Sequence, residues 1–410
     1  MTPAVRPAVR DAAFRALVQA ATRGPVHPVP PVCTYRDGAA AFSAMLQAVA
    51  EARNEVLLET YILRDDRLGA AVREALALAA GRGVRVSVLA DALGSWTTRD
   101  AFWDALTTSG VTVRFFHRLW HHPLSAHRRD HRKLLVVDRT VAFTGGMNIG
   151  EEYGSSLQQR ADAFRDTLVR VSGPVVHELA GVFAEGWDRA GGPALPGLER
   201  TSWTNRLIHR WGPHAGGRPA PEAVSAPGGG LLVLDPRPGR GQRAMARVLA
   251  ALIDGAQERL FITTPYFAPP RRAVRRLVAA AQRGVAVRLL LPGARMDVPI
   301  VRHAAHGTYA RLLRGGVRIF EYQRAVLHAK TLVADGHAAL VGSSNLDLRS
   351  LRYNAECNVL LLDDGWGTAL EADMAHDLEG SEEVTPAVWQ QRGPWHRLVD
   401  RVAYGMRWAW

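Results

Sequence analysis

One pattern occurs twice in this chain of 410 residues. The first copy reads His131-x-Lys133, then Asp138, then Gly145-Gly146-Met147-Asn148. The second reads His328-x-Lys330, then Asp335, then Gly342-Ser343-Ser344-Asn345, at identical spacing. Fixed residue types at fixed intervals are far more specific than a lone glycine motif, and their recurrence points to two related half-molecules. Lys133 and Lys330 are the only lysines among 51 Lys and Arg residues, so the pattern keeps an ammonium where every other basic position has a guanidinium. An ammonium is a compact point charge with three rotatable donors, which a planar guanidinium fork does not replace in a tight site.

The repetition reaches beyond the motif. Ala52 to Ile62 resembles Ala256 to Tyr266, Gly83 to Val86 returns as Gly284 to Val287, and Gly110 to Val113 returns as Gly316 to Ile319. Short apolar runs such as EVLLET and KLLVVD alternate with longer helical patterns, which predicts α/β units around a largely parallel or mixed sheet. The expected organisation is an N-terminal domain over 1–205 and a Gly/Pro-rich linker over 206–230, then a C-terminal domain over 231–390 and an amphipathic helix over 391–410. In that helix Trp395, Leu398, Val399, Val402 and Met406 share one face, followed by Trp408 and Trp410. Two readings stand: a helix lying in a membrane interface, or an ordinary terminal helix packed on the core.

An apolar fraction of 47% suits a globular chain with two cores, and a net charge of +12 favours an anionic partner, either nucleic acid or an acidic membrane surface. A merely solvated arginine-rich surface is the alternative. Cys33 and Cys357 form no CxxC motif, which predicts packing residues in a reducing cytoplasm. The N-terminus lacks an apolar signal core, and no run approaches the roughly 18 apolar residues of a spanning helix. A soluble or surface-bound protein is expected.

Alternation along a strand points residues i and i+2 the same way, so His131 pairs with Lys133 and His328 with Lys330. Bringing the halves together would gather two histidines, two lysines and the amides Asn148 and Asn345 around one pocket suited to a phosphodiester. Gly146 and Ser343, with Gly145, Gly342 and Ser344, would let the backbone approach it closely. One imidazole can then attack phosphorus while the other protonates the leaving oxygen and later deprotonates the acceptor. Asp138 and Asp335 are counted with the catalytic residues, although a carboxylate at a strand end also suits a purely structural role. His117, His121, His122, His127 and His131 crowd one stretch, but Pro123 interrupts it and no HExxH or carboxylate cluster accompanies it. No metal and no cofactor are expected. Neither a GxSxG elbow nor a P-loop is present.

These residues resemble the phospholipase D superfamily, marked by a duplicated HxKxxxxD followed by GGxN or GSxN, over roughly residues 35 to 385. Tyr61, Thr264-Pro265-Tyr266, Phe164-Arg165-Asp166-Thr167 and Leu346-Asp347-x-Arg349-Ser350, with Asn354 and Glu356, are similar to bacterial cardiolipin synthases. The length resembles their shorter form, without N-terminal membrane helices. The resemblance implies two tandem α/β domains related by a pseudo-twofold, with one active site at their interface. It implies metal-independent transfer through a phosphohistidine, with His131 as nucleophile, His328 as general acid and base, and Asp166 and Glu356 orienting the histidines. The implied reaction moves a phosphatidyl group from phosphatidylglycerol to a second phosphatidylglycerol, at the cytoplasmic face of a membrane. A phospholipase D-type hydrolase or nuclease is the alternative, and a catalytically dead binder a more distant one. Nucleic acid is the less favoured partner, since no interleaving of basic and aromatic residues suggests base stacking.

Overall fold

The computed structural model describes residues 7–22, 24–29, 32–116, 128–155, 163–198, 229–237 and 241–408. His117, His121, His122, His127, nearly all of the 206–230 linker, and Trp410 lie outside the described residues.

In the first half the strands are β1 (Val32–Tyr35), β2 (Glu55–Thr60), β3 (Arg85–Asp91), β4 (Thr112–Phe116), β5 (Leu134–Val137), β6 (Val141–Gly145), β7 (Phe164–Arg165) and β8 (Leu168–Ser172). All but β7 form one sheet in the order β1-β8-β6-β5-β2-β3-β4. The helices are α1 (Ala12–Thr22), α2 (Gly38–Glu51), α3 (Arg67–Gly81), α4 (Asp100–Thr108), α5 (Glu151–Gly154) and α6 (Val175–Arg189).

The second half continues with β9 (Gly230–Leu234), β10 (Arg259–Thr263), β11 (Phe267–Ala268), β12 (Ala286–Pro292), β13 (Arg318–Tyr322) and β14 (Val326–Leu327). Then come β15 (Thr331–Ala334), β16 (Ala338–Gly342), β17 (Leu346–Asp347), β18 (Asn358–Leu362) and β19 (Ser381–Glu383). Its main sheet runs β19-β13-β12-β10-β15-β16-β18-β9, which repeats the first sheet strand for strand and adds β19. The helices here are α7 (Gly241–Gly255), α8 (Arg271–Gln282), α9 (Pro299–Arg314), α10 (Leu348–Arg352), α11 (Asp364–Leu378), α12 (Pro386–Gln390) and α13 (Pro394–Gly405).

In both sheets three strands are parallel, β2-β3-β4 and β10-β12-β13, and the rest join antiparallel. The duplicated Gly-Val segments close the crossovers. Gly83 and Gly284 take φ of 87° and 96° at the helix-to-strand turns, a left-handed conformation that glycine adopts without steric cost. Apolar clusters cover the helical face of each sheet, while the inner faces meet in a shared cluster that includes Val136 and Val169 from one half and Val341 and Val359 from the other. The two α/β halves are therefore fused through a common core.

One expected boundary changes, and the C-terminal helix turns its apolar stripe outward. The helix α1, assigned to the N-terminal domain, buries Phe14 and Val18 against Met245, Val248 and Leu252 of the C-terminal half. His27 also bridges to Leu231, so the first segment of the chain crosses over before the first sheet begins. The C-terminal helix α13 docks on α9 through its polar and small side: Asp400 and Ala403 are buried, while Trp395, Leu398, Val402 and Met406 are exposed. Its apolar stripe therefore faces solvent rather than the core.

Charges also cross the junction. Arg132, between His131 and Lys133, pairs with Glu59 of its own half at 3.2 Å and Asp235 of the other at 2.5 Å; Arg132 and Glu59 are buried and Asp235 nearly so. Arg165 similarly reaches Asp377 at 2.8 Å. Removing one member of such a network leaves its partner as an uncompensated buried charge. Arg132→Leu is expected to lower stability by about 3–5 kcal/mol, read as a lower urea midpoint; an unchanged midpoint would show that Glu59 and Asp235 do not need the guanidinium.

Candidate active site

The two histidine motifs enter β5 and β15 at the same edge of their sheets, beside the carboxyl ends of the parallel strands. The segment before β5 pairs across the pseudo-twofold: Asp130 bridges to Ala355, and the His131 amide donates to the Ala355 carbonyl at 2.9 Å. Its counterpart pairs β14 with β7, and the His328 amide donates to the Arg165 carbonyl at 2.8 Å. Each histidine is thereby placed next to a carboxylate from the opposite half. His131 Nδ1 lies 3.0 Å from Glu356 Oε2, and His328 Nδ1 lies 2.6 Å from Asp166 Oδ2. A carboxylate on Nδ1 fixes the tautomer and turns Nε2 toward the pocket.

The lysines complete the cluster. Lys133 Nζ donates to the His131 carbonyl at 2.7 Å and stands over the Tyr61 ring at 5.2 Å. Lys330 Nζ lies 2.7 Å from His328 Nδ1, 3.2 Å from its Nε2 and 3.9 Å from Asp166 Oδ2. All four side chains and both carboxylates are buried. Burial, with Lys133 alongside, pushes the His131 imidazole down to about 4, and Glu356 only partly opposes this. Burial also lowers His328, Lys133 and Lys330, the second of these to about 7. Burial alone would raise Asp166 and Glu356, but the cations and hydrogen bonds facing them outweigh it and hold both below the usual carboxylate range. A neutral His131 and ionised carboxylates result.

The glycine and serine of the two copies have separate reasons. A Cβ at Gly146 would lie 2.1 Å from Asp166 Oδ1, so glycine makes room for that carboxylate rather than for a ligand. At the equivalent place Ser343 Oγ donates to Glu356 Oε2, the same oxygen that faces His131. Asn148 is likewise engaged: its Nδ2 donates to the Tyr153 hydroxyl at 2.9 Å and its Oδ1 accepts from the Ile62 amide. Asn345 Oδ1 is buried with no hydrogen-bond partner among the described residues.

Asp138 and Asp335, counted as catalytic from sequence, lie just past the ends of β5 and β15 that are far from the histidines. Asp138 accepts from the amides of Arg53, Asn54 and Glu55 at 2.7–2.9 Å, and Asp335 from Gln257, Glu258 and Arg259 at 2.8–2.9 Å. Their φ values of 49° and 53° place both in left-handed hairpin turns, a conformation that aspartate tolerates better than most residues. They fasten the neighbouring strand instead of reaching the pocket. Tyr153, which sequence reasoning missed, has its hydroxyl 3.5 Å from His328 Nε2. It follows Asn148 by five residues but belongs to no repeated pattern.

One other group, His303, His306 and Asp400, brings metal-type ligand atoms together among the described residues. Arg392 already supplies the cation there, 2.5 Å from Asp400 Oδ2 and 3.4 Å from His306 Nδ1.

The fold extends over solved structures with little sequence likeness. Phosphatidylserine synthase of Haemophilus influenzae superposes with a TM-score of 0.71 over 97% of this chain and 99% of that one, at 14% identity. Polyphosphate kinase of Porphyromonas gingivalis gives 0.54 over 93% of this chain and 53% of that one, at 13% identity. Fold and paired motifs define a phosphodiester transferase built from two phospholipase D-like halves. The chain belongs to the family described as "Cardiolipin synthase, PLD-like domain", whose profile matches residues 45–187 and 249–378. It is 34% identical to cardiolipin synthase A of Pseudomonas putida, covering 90% of this chain and 72% of that protein. It is 31% identical to cardiolipin synthase of Alkalihalophilus pseudofirmus, covering 89% and 69%.

Two measurements follow from the geometry. Asp138→Ala and Asp335→Ala should lower the unfolding midpoint while kcat of the folded enzyme stays within a few-fold; loss of kcat at unchanged stability would restore them to the chemistry. In the pH profile, His131 is competent in its neutral form, so kcat/KM falls on the acid side as pH drops through about 4. His328, as the proton donor, and Lys133 are competent when protonated, so kcat/KM falls on the basic side first through the His328 value, held below the usual histidine range by burial, and again through about 7 for Lys133. Glu356→Gln removes the charge that favours imidazolium and moves the acid limb lower; a limb moving higher would contradict this assignment.

Proposed function

We propose that the protein makes cardiolipin, transferring a phosphatidyl group from one phosphatidylglycerol to the glycerol hydroxyl of another and releasing glycerol. The observation that carries this reading is the pair of buried histidines, each held by a carboxylate of the opposite half and accompanied by a lysine. The relatives called cardiolipin synthase align with about nine-tenths of the chain and supply the choice of product.

In the first step the His131 Nε2 lone pair attacks phosphorus, and the bond to the glycerol headgroup oxygen breaks. His328, carrying a proton on Nε2, gives it to that oxygen, and glycerol leaves. In the second step neutral His328 takes the proton from the hydroxyl of the incoming phosphatidylglycerol, whose oxygen attacks the phosphohistidine and frees His131. Lys133 and Lys330, with Asn148 and Asn345 beside them, hold the phosphate oxygens and stabilise the charge that develops there. The assignment of His131 as nucleophile follows the resemblance to the phospholipase D superfamily, and that of His328 as proton carrier is supported by the Tyr153 hydroxyl near its Nε2. No step uses a metal. Phosphatidylglycerol is anionic, and the net charge of +12 favours a peripheral position on a membrane surface carrying such lipid, on its cytoplasmic face.

The test is incubation with phosphatidylglycerol dispersed in detergent micelles, with chelator present, and separately with single- and double-stranded DNA, following products by mass. Cardiolipin and glycerol in equal amounts are expected, abolished in His131→Ala and slowed about 10²–10⁴-fold in His328→Ala. Phosphatidic acid as the main product, or DNA cleavage, would overturn the reading.

A further inference from the structure

Almost all of the exposed large apolar side chains among the described residues gather in three places. Leu17 and Leu78 are the exceptions. The first place is the loop after β3, where Trp96 is 75% exposed and Leu93 is also open. The second is the segment from β12 into α9, with Val298 and Ile300. These two segments are pseudo-twofold equivalents, since β3 corresponds to β12 and α4 to α9 in the matching sheets. The third is the C-terminal region, with Val388 on α12 and the outer stripe and tail of α13.

The first two flank the pocket. Ser95 of the β3 loop donates to the carbonyl of Tyr61, whose ring stands 5.0 Å from that of His131. In the other half, Asp297 accepts from the Tyr266 hydroxyl, and its charge acts on His328 and Lys330. The rim is also rigid. Buried Asp91 accepts from the amides of Leu93 and Gly94 at 2.9 and 3.0 Å, so Trp96 is displayed by an anchored loop.

The helix α13 continues this rim from the α9 side. It is clamped by polar contacts: Asp400 to His303 at 2.8 Å and to Arg392, and the Tyr404 hydroxyl to the Pro269 carbonyl at 2.9 Å. Gly307 of α9 allows the close approach, since a Cβ there would lie 2.6 Å from Tyr404 Cβ. A helix docked by its polar side leaves Trp395, Leu398, Val402 and Met406 outward, flanked by exposed Arg397 and Arg401. Aromatic and aliphatic side chains bordered by arginine suit the boundary between acyl chains and anionic headgroups.

We propose that both pocket rims and the outer stripe of α13 form one membrane-docking face, which seats the active-site mouth on an anionic bilayer. This rests on the lipid-transfer reading above and adds the surface that brings lipid to the pocket. The occupant is a bilayer rather than a second chain because two of the apolar segments lead to residues beside the histidines, and because exposed Arg397 and Arg401 flank the third.

Co-sedimentation with vesicles of phosphatidylglycerol and phosphatidylcholine tests it, using the full chain, Trp96→Ser, and the combined variant Trp395→Ser, Leu398→Ser and Val402→Ser. Wild type should bind; Trp96→Ser should lose several-fold in partitioning and the combined variant at least tenfold, with activity on phosphatidylglycerol in detergent micelles within twofold of wild type. Wild-type binding to the variants, or micellar activity falling as far as vesicle binding, would overturn the proposal. So would a dimer in ultracentrifugation that the combined variant converts to monomer. Vesicle binding lost as expected, but with no cardiolipin formed by wild type in micelles, would sink the functional reading and leave the docking face standing. Cardiolipin formation with unchanged vesicle binding would do the reverse.

Discussion

The exchange of carboxylates across the pseudo-twofold is the contact on which the rest of the site depends. Glu356 belongs to the second half and holds His131 of the first; Asp166 belongs to the first and holds His328 of the second. Neither half contains a complete histidine and carboxylate pair. Short cross-half pairings, Asp130 with Ala355 and β14 with β7, fix the relative position of the two chains of contacts to within a hydrogen bond. The shared apolar cluster and the Arg132 to Asp235 ion pair then hold that alignment. Folding and active-site assembly are therefore one event, because separating the halves would expose the common core and leave the buried charges unpartnered.

The duplication is close but broken where chemistry divides. Asp166 is one carbon shorter than Glu356, and its carboxylate occupies the space a Cβ at Gly146 would need. The longer Glu356 leaves room for Ser343, whose hydroxyl adds a second donor to the oxygen facing His131. His328 instead has Tyr153 and Lys330 beside Nε2. Two imidazoles of the same motif thus sit in unequal surroundings.

Much of this was legible from spacing alone. The two sheets, and the strands that begin three residues after His131 and His328, follow from apolar runs and repetition; the histidines and lysines themselves precede those strands, so the alternation expected of them within a strand does not apply. Asp138 and Asp335 show the limit. Their fixed place in the motif gave no hint whether they meet a substrate or the backbone, because a carboxylate serves either purpose and only its neighbours decide. Gly146 was misread for a similar reason: a small residue signals a close approach without saying what approaches. The helix α1 went to the wrong half since its apolar face fits any complementary groove, and the partner on α7 is distant in sequence.

Local order therefore determined the strands, the helices and the repeat, since periodicity and residue type act over a few positions. Tertiary structure decided which carboxylate serves which histidine, which glycine faces a charge, and which side of α13 is left to solvent. Those outcomes depend on contacts between residues hundreds of positions apart, as between His131 and Glu356, and the free energy of burial that selects them exists only once both halves are folded together.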